Sequence, residues 1–220
     1  MSGHPSCARC GRPVRAPGIW SNAWRCEVHG DVEPLAPVGL PTRERLEREL
    51  HAGPSPDVPF WLPWPLPTGW LATGITHAGD DRHGVRATAV AFTGPNPVGG
   101  PADLVIVAEE PGVGLGARCA GLPGRDPGTE IATQVPHAKI SAAGHPTALW
   151  CVRGPHDRAV YVGEALGRWL WLILTPASAG ALVADHITLI DLRDSPCDLD
   201  LPLGSALTTL PNGPDGPESA

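Results

Sequence analysis

Apolar residues gather along this chain in short runs that either alternate with polar positions or stand bounded by Gly, Pro, Asn and Asp. That pattern predicts strands joined by turns. The predicted strands are Trp70 to His77, Val85 to Phe92, Leu104 to Glu110, Ala138 to Ala143, Ala148 to Val152, Ala159 to Gly163, Arg168 to Leu174 and Ile187 to Leu192. Gly79-Asp80-Asp81-Arg82-His83-Gly84 reads as the turn of the first hairpin and Gly144-His145-Pro146 as that of a later one. Two short helices are expected, Gly114 to Ala120 and Ala177 to Ala184. Short strands with few helices predict an α+β fold, a mostly antiparallel sheet covered on one face. Trp169 and Trp171, two apart, share one face of a strand and read as core anchors.

Upstream the pattern changes. Glu33 to Pro41 is proline-rich and extended, and Thr42 is placed to cap a helix through His51 that Gly53 and Pro54 stop. Glu44 and Arg48 form a favourable i,i+4 pair, while only Leu46 and Leu50 offer an apolar stripe, so this helix reads as a solvated spacer. Pro54 to Trp70 combines six prolines with Phe60, Trp61 and Trp64. Its density of proline fits a polyproline ligand for an aromatic groove, but so much aromatic surface is expected to dock on the domain that follows. The resulting organisation is a zinc ribbon at 1–33, a linker with a short helix at 34–58, an α+β domain at 59–211 and a disordered tail at 212–220.

The chain has 220 residues, 42% of them apolar, enough for a real core despite 27 Gly and 27 Pro. The longest apolar run, Trp169 to Leu174, is too short to span a bilayer, and the N-terminus lacks a basic-then-apolar leader, so a cytoplasmic location without membrane insertion is expected. Charge is uneven. Residues 1–30 carry Arg9, Arg12, Arg15 and Arg25 against Glu27, a net +3 within a chain total of −7, which leaves −10 on the rest. An acidic body repels phosphate backbones, so nucleic-acid contact would fall to the N-terminal segment, where Trp20, Asn22 and Trp24 lie near Arg12 and Arg15. The expected role of those tryptophans is packing or protein contact.

The clearest chemistry is Cys7, Cys10, Cys26 and His29, in the spacing C-x2-C-x15-C-x2-H. Two knuckles separated by a hairpin-length insert let four ligands meet around one tetrahedral zinc. Gly11 and Gly30, directly after each knuckle, suit turns whose backbone N–H groups point at thiolate sulfur. All four positions are filled by protein, so the zinc is expected to be structural, one per chain, and to supply the folding energy that thirty residues lack.

Other candidates are less specific. Gly112-Val113-Gly114-Leu115-Gly116 follows a strand and opens a helix, where a phosphate-cradling loop would sit, but Glu109 and Glu110 stand at its entrance. Cys119 with His137, His145 or His156, oriented by Asp157, has the residue types of a nucleophile pair. The expected roles are instead small buried hydrophobes for Cys119 and Cys151 and loop residues for the histidines. Asp80, Asp81 and His83 read as solvated turn residues, with a second metal site as the alternative.

The ribbon C-x-R-C-G-R-P-V-R-A-P-G-I-W-S-N-A-W-R-C-E-V-H-G, with W-L-P-W-P-L-P-T-G-W-L, A-G-D-D-R and V-A-E-E-P-G-V-G-L-G-A-R, resembles an uncharacterised actinobacterial zinc-ribbon family. The resemblance covers nearly the whole chain and implies no activity beyond a phosphotransacetylase label that some members carry. The expected function is a non-enzymatic protein-interaction or regulatory module whose partner is another protein. The alternatives are an acyl- or phosphoryl-transfer enzyme using Gly112 to Gly116, and nucleic-acid binding through the basic ribbon.

Overall fold

The computed structural model describes residues 4–19, 21–39, 42–50, 58–128, 131, 133–185, 187–194, 201–204 and 210. Trp20, His51, Cys197 and the expected tail at 212–220 lie outside them. Thirteen strands are present among the described residues: β1 Ser6–Cys7, β2 Arg25–Cys26, β3 Gly30–Asp31, β4 Pro34–Leu35, β5 Trp61–Pro63, β6 Leu71–Asp80, β7 Gly84–Pro95, β8 Pro101–Glu109, β9 Ala138–Ala142, β10 His145–Val152, β11 Ala159–Ala165, β12 Arg168–Thr175 and β13 Thr188–Asp191. Helices are few: α1 Arg43–Leu50, α2 Leu115–Ala120 and a 3-10 helix, Ala177–Asp185. The protein is mostly β-sheet.

Eleven strands form one sheet in the order β1-β4-β6-β7-β8-β12-β11-β10-β9-β13-β5, and β2 and β3 form a separate ribbon. The meander β9 to β12 runs back so that β12 lies antiparallel to β8, with Trp171 opposite Val107. β13 then returns parallel to β9, the one parallel pairing between the thirteen strands, and carries β5 on its far side. Although β5 ends the strand order, it also packs on β7 and β8, and Thr88 Oγ1 donates to Pro59 O at 2.6 Å. The sheet therefore curls over its own inner face.

That curl overturns the one-faced expectation. Along β8, Leu104, Ile106 and Ala108 enter one core with Phe60, Trp61, Leu62, Leu170 and Leu172, while Val105 and Val107 enter a second. The second core holds Ala87, Ala89 and Ala91 of β7, Leu115 and Ala117 of α2, Trp171, and Ala8 from the N-terminal segment. Strands apolar on both faces are what two covers require. α2 covers this face by packing on β8 and β12.

The described part of the proline-tryptophan segment docks, with Val58, Phe60, Trp61, Leu62 and Trp70 buried, but Trp64 stays exposed and 54–57 lie outside the described residues. Part of it is also a strand, β5, which the prolines conceal in the sequence. Gly144-His145-Pro146 is not a turn. The hairpin turns at Ala143 (φ 48°) and Gly144 (φ 77°), and β10 already begins at His145. Pro146 is tolerated because it pairs only with Ser141 of β9, β11 joining β10 from Leu149 onward. At the other end, Thr42 Oγ1 accepts the Arg45 N–H at 3.2 Å, the N-cap that its position predicts.

Candidate metal centre

The two knuckles are built alike. After Cys10 the chain turns at Gly11 (φ 75°) and after His29 at Gly30 (φ 69°), left-handed conformations that favour glycine. The turns aim backbone N–H groups at sulfur, those of Arg9 and Cys10 at Cys7 and those of Val28 and His29 at Cys26. β1 pairs with β4 and β2 with β3, and a bridge between Arg15 and Arg25 joins the chain leaving the first knuckle to the chain entering the second.

All four ligand atoms lie within 4.8 Å of one another. Cys7 Sγ and Cys26 Sγ stand 3.6 and 3.8 Å from His29 Nδ1, and Cys10 Sγ stands 3.7 Å from Cys26 Sγ. A disulfide needs about 2.05 Å, and the three cysteines are free thiols. A tetrahedral ion with bonds of about 2.3 Å to sulfur and about 2.0–2.1 Å to nitrogen separates its ligands by roughly 3.8 Å (S···S) and 3.6 Å (S···N). These three separations match that figure, and with all four atoms within 4.8 Å of one another the residues fit such an ion. Burial pushes the Cys7 thiol up to about 12. For Cys26 burial acts the same way, but the N–H groups of Val28 and His29 and the thiols of Cys10 and Cys7 outweigh it and hold it below the usual value.

Two arginines tie this centre to the body in opposite directions. Arg9, between the first two cysteines, donates from Nη2 to Gly112 O at 2.8 Å and from Nε to Val113 O at 3.2 Å. Arg118 of α2 donates from Nη1 to Cys7 O at 3.1 Å. Burial lowers the Arg118 guanidinium's pKa, and Cys119, Cys10 and Cys7 act against that. Arg118 is a residue of this site that the cysteine spacing does not reveal.

The glycine loop already has internal carboxyl groups on its donors. Glu109 is fully buried, and its Oε2 accepts the Leu115 N–H at 2.7 Å; the Gly112 N–H goes to Asp126 Oδ1 at 2.7 Å. Burial raises the Glu109 carboxyl to about 7, against the pull of the Gly116 and Leu115 N–H groups and the nearby Trp171 indole. The indole falls short of a hydrogen bond, since Glu109 Oε1 and Trp171 Nε1 are both buried without a partner. Glu110 turns the other way, to Arg86 at 2.7 Å and Arg168 at 3.4 Å.

The remaining candidates are not assembled. Burial pushes the Cys119 thiol to about 12, and among the described residues no hydrogen bond joins it to His137, His145 or His156, all three of them exposed. Cys151 is exposed, not buried, because it lies where β10 nears the surface; its N–H donates to His137 Nδ1 at 3.2 Å. Asp157 pairs with Arg158 at 2.8 Å. Asp80 closes its own turn, accepting from Arg82 N, His83 N and His83 Nδ1 at 3.0, 2.8 and 3.1 Å, and among the described residues only the Cys/His group has metal-binding proximity.

A family model described as "Family of unknown function (DUF6758)" matches residues 1–210. The chain belongs to this family. The match takes in the Cys/His centre, the sheet and α2 alike. No curated protein and no solved structure matches the chain.

Proposed function

We propose that this chain is a cytoplasmic zinc-ribbon protein, with one structural zinc on Cys7, Cys10, Cys26 and His29, that acts as a non-enzymatic interaction or regulatory module. The observation that carries the zinc reading is the Cys3His set at tetrahedral separations, with backbone N–H groups on two of its sulfurs. Three thiolates and an imidazole suit zinc, and four protein ligands leave no position for a reacting water. Thiols kept for metal fit a reducing compartment. No helix among the described residues is long and apolar enough to cross a membrane.

The interaction reading is supported by the ribbon's surface, where Ile19 is 94% and Val28 57% exposed. Nucleic-acid binding draws less support, because Arg15 pairs with Glu27 at 2.9 Å and Arg25 with Asp31 at 3.2 Å, offsetting their charge. Phosphate capture at Gly112 to Gly116 competes with Glu109 and Asp126 for the same N–H groups. The test is affinity capture from native-host extract with zinc-loaded wild type and with the double variant Ile19→Glu, Val28→Glu. A partner protein retained by wild type and lost by the variant is expected. Capture unchanged by the substitutions contradicts the assignment to this surface.

A further inference from the structure

Three thiolates and one neutral imidazole around a divalent zinc leave one net negative charge. The centre is partly withdrawn from water, with Cys7 and Cys26 buried, and a buried charge is costly unless it is compensated. Backbone N–H groups on Cys7 and Cys26 supply dipoles without net charge. A cation must come from elsewhere.

α2 brings one. Arg118 is half-buried, and its Nη1 holds the carbonyl of the ligand Cys7 at 3.1 Å. Its other terminal nitrogen, Nη2, lies against Gly11, the residue after the ligand Cys10, so closely that a Cβ there would collide with it. One guanidinium thus spans the first knuckle, from the residue at its start to the glycine at its end. Gly11 is fixed by a second constraint beyond its positive φ, because a side chain would unseat the arginine.

We propose that Arg118 is the charge partner of the metal–thiolate centre, a positioning residue from the body that offsets the negative charge and tightens the hold on the metal. This rests on the zinc reading above. Loss of such an outer partner weakens metal binding by roughly 10- to 100-fold. A hydrogen bond to a carbonyl alone could be made by a neutral donor, so charge and hydrogen bonding are separable by substitution.

The experiment measures zinc affinity by chelator competition on the full chain, for wild type and for Arg118→Lys, Arg118→Gln and Arg118→Met. Cobalt absorption spectra and circular dichroism are recorded on each. Gln keeps a donor for Cys7 O without the charge, and Lys keeps the charge. The expected result is that Gln and Met bind zinc about 10- to 100-fold more weakly, Lys recovers most of the loss, and the tetrahedral cobalt bands and sheet signal persist in all. Affinity unchanged in Gln and Met overturns the proposal, as does a Lys variant no better than Met. If wild type binds no stoichiometric zinc, the zinc reading itself fails; if wild type binds and Gln equals it, only the role of Arg118 fails.

Discussion

Arg118 Nη1 donates to Cys7 O at 3.1 Å, so a side chain of the body's short helix holds the backbone of the first cysteine of the Cys/His group. Arg9 answers from the ribbon by binding Gly112 O and Val113 O, and Ala8 is buried in the second core beside Leu115 and Trp171. Metal removal is therefore expected to loosen more than the ribbon. Hydrogen exchange with and without chelator should show lost protection at 6–35 and also at 112–122, while β8 and β12 stay protected. Loss confined to 6–35, with 112–122 still protected, would mean that the arginine ties carry no coupling.

Glu109 makes stability fall with rising pH. Its carboxyl sits at about 7 in the folded protein against 4.5 ordinarily. Between those values the folded state holds the proton more firmly than the unfolded chain, so the favourable contribution is complete below pH 4.5 and gone above about 7. The full shift corresponds to about 3 kcal/mol. Glu109→Gln removes this titration, so its stability relative to wild type should rise by up to that amount between pH 4 and pH 8. Comparing the two proteins cancels proton effects at the thiols, which both share. A difference that is flat with pH would contradict the assignment.

Gly112, in the loop, and Gly116, in the first turn of α2, differ in what surrounds them. A Cβ at Gly116 would collide with the Trp171 indole, a fully buried side chain, whereas Gly112 has open space and only its φ of 88° to constrain it. Gly116→Ala is expected to cost about 1–3 kcal/mol by overpacking, and Gly112→Ala about 1–2 kcal/mol from backbone strain. The distinguishing readout is the indole. Near-ultraviolet circular dichroism should change for Gly116→Ala and not for Gly112→Ala.

Leu166 and Gly167 turn the β11–β12 hairpin with φ of 53° and 72°, a conformation that leucine disfavours, and Leu166 is exposed. Leu166→Asn should stabilise the protein by roughly 0.5–1 kcal/mol, measured by urea unfolding at fixed zinc. Destabilisation by that substitution would show that Leu166 makes a contact worth more than its strain.

The long strands were legible because period-2 and two-faced apolar runs are local properties, as in β8 and β12. Pairing is not local. Nothing between Arg168 and Thr175 tells that β12 lies against β8, or that β13 returns parallel to β9, and the prolines around Trp61 disguise β5. Two-residue strands such as β1 and β4 have no pattern to read. The Cys/His group was legible because four residues meant to meet around one ion keep a short, regular spacing in sequence. Arg118 stands 111 positions from Cys7, and only the fold brings them together. Glu109 shows the same limit: its charge at the loop's entrance was visible, but not that it faces inward and takes the Leu115 N–H.

The most direct measurement is metal content of purified full-length protein, by elemental analysis, for wild type, Cys26→Ala, Cys119→Ala and Cys151→Ala. Cys26 lies 3.7 Å from Cys10 Sγ and 3.8 Å from His29 Nδ1, whereas Cys119 and Cys151 are outside the Cys/His group. Wild type and the two body variants should each carry one zinc per chain, and Cys26→Ala should lose it. Absence of zinc from wild type, or equal loss in all three variants, would contradict the zinc-ribbon account.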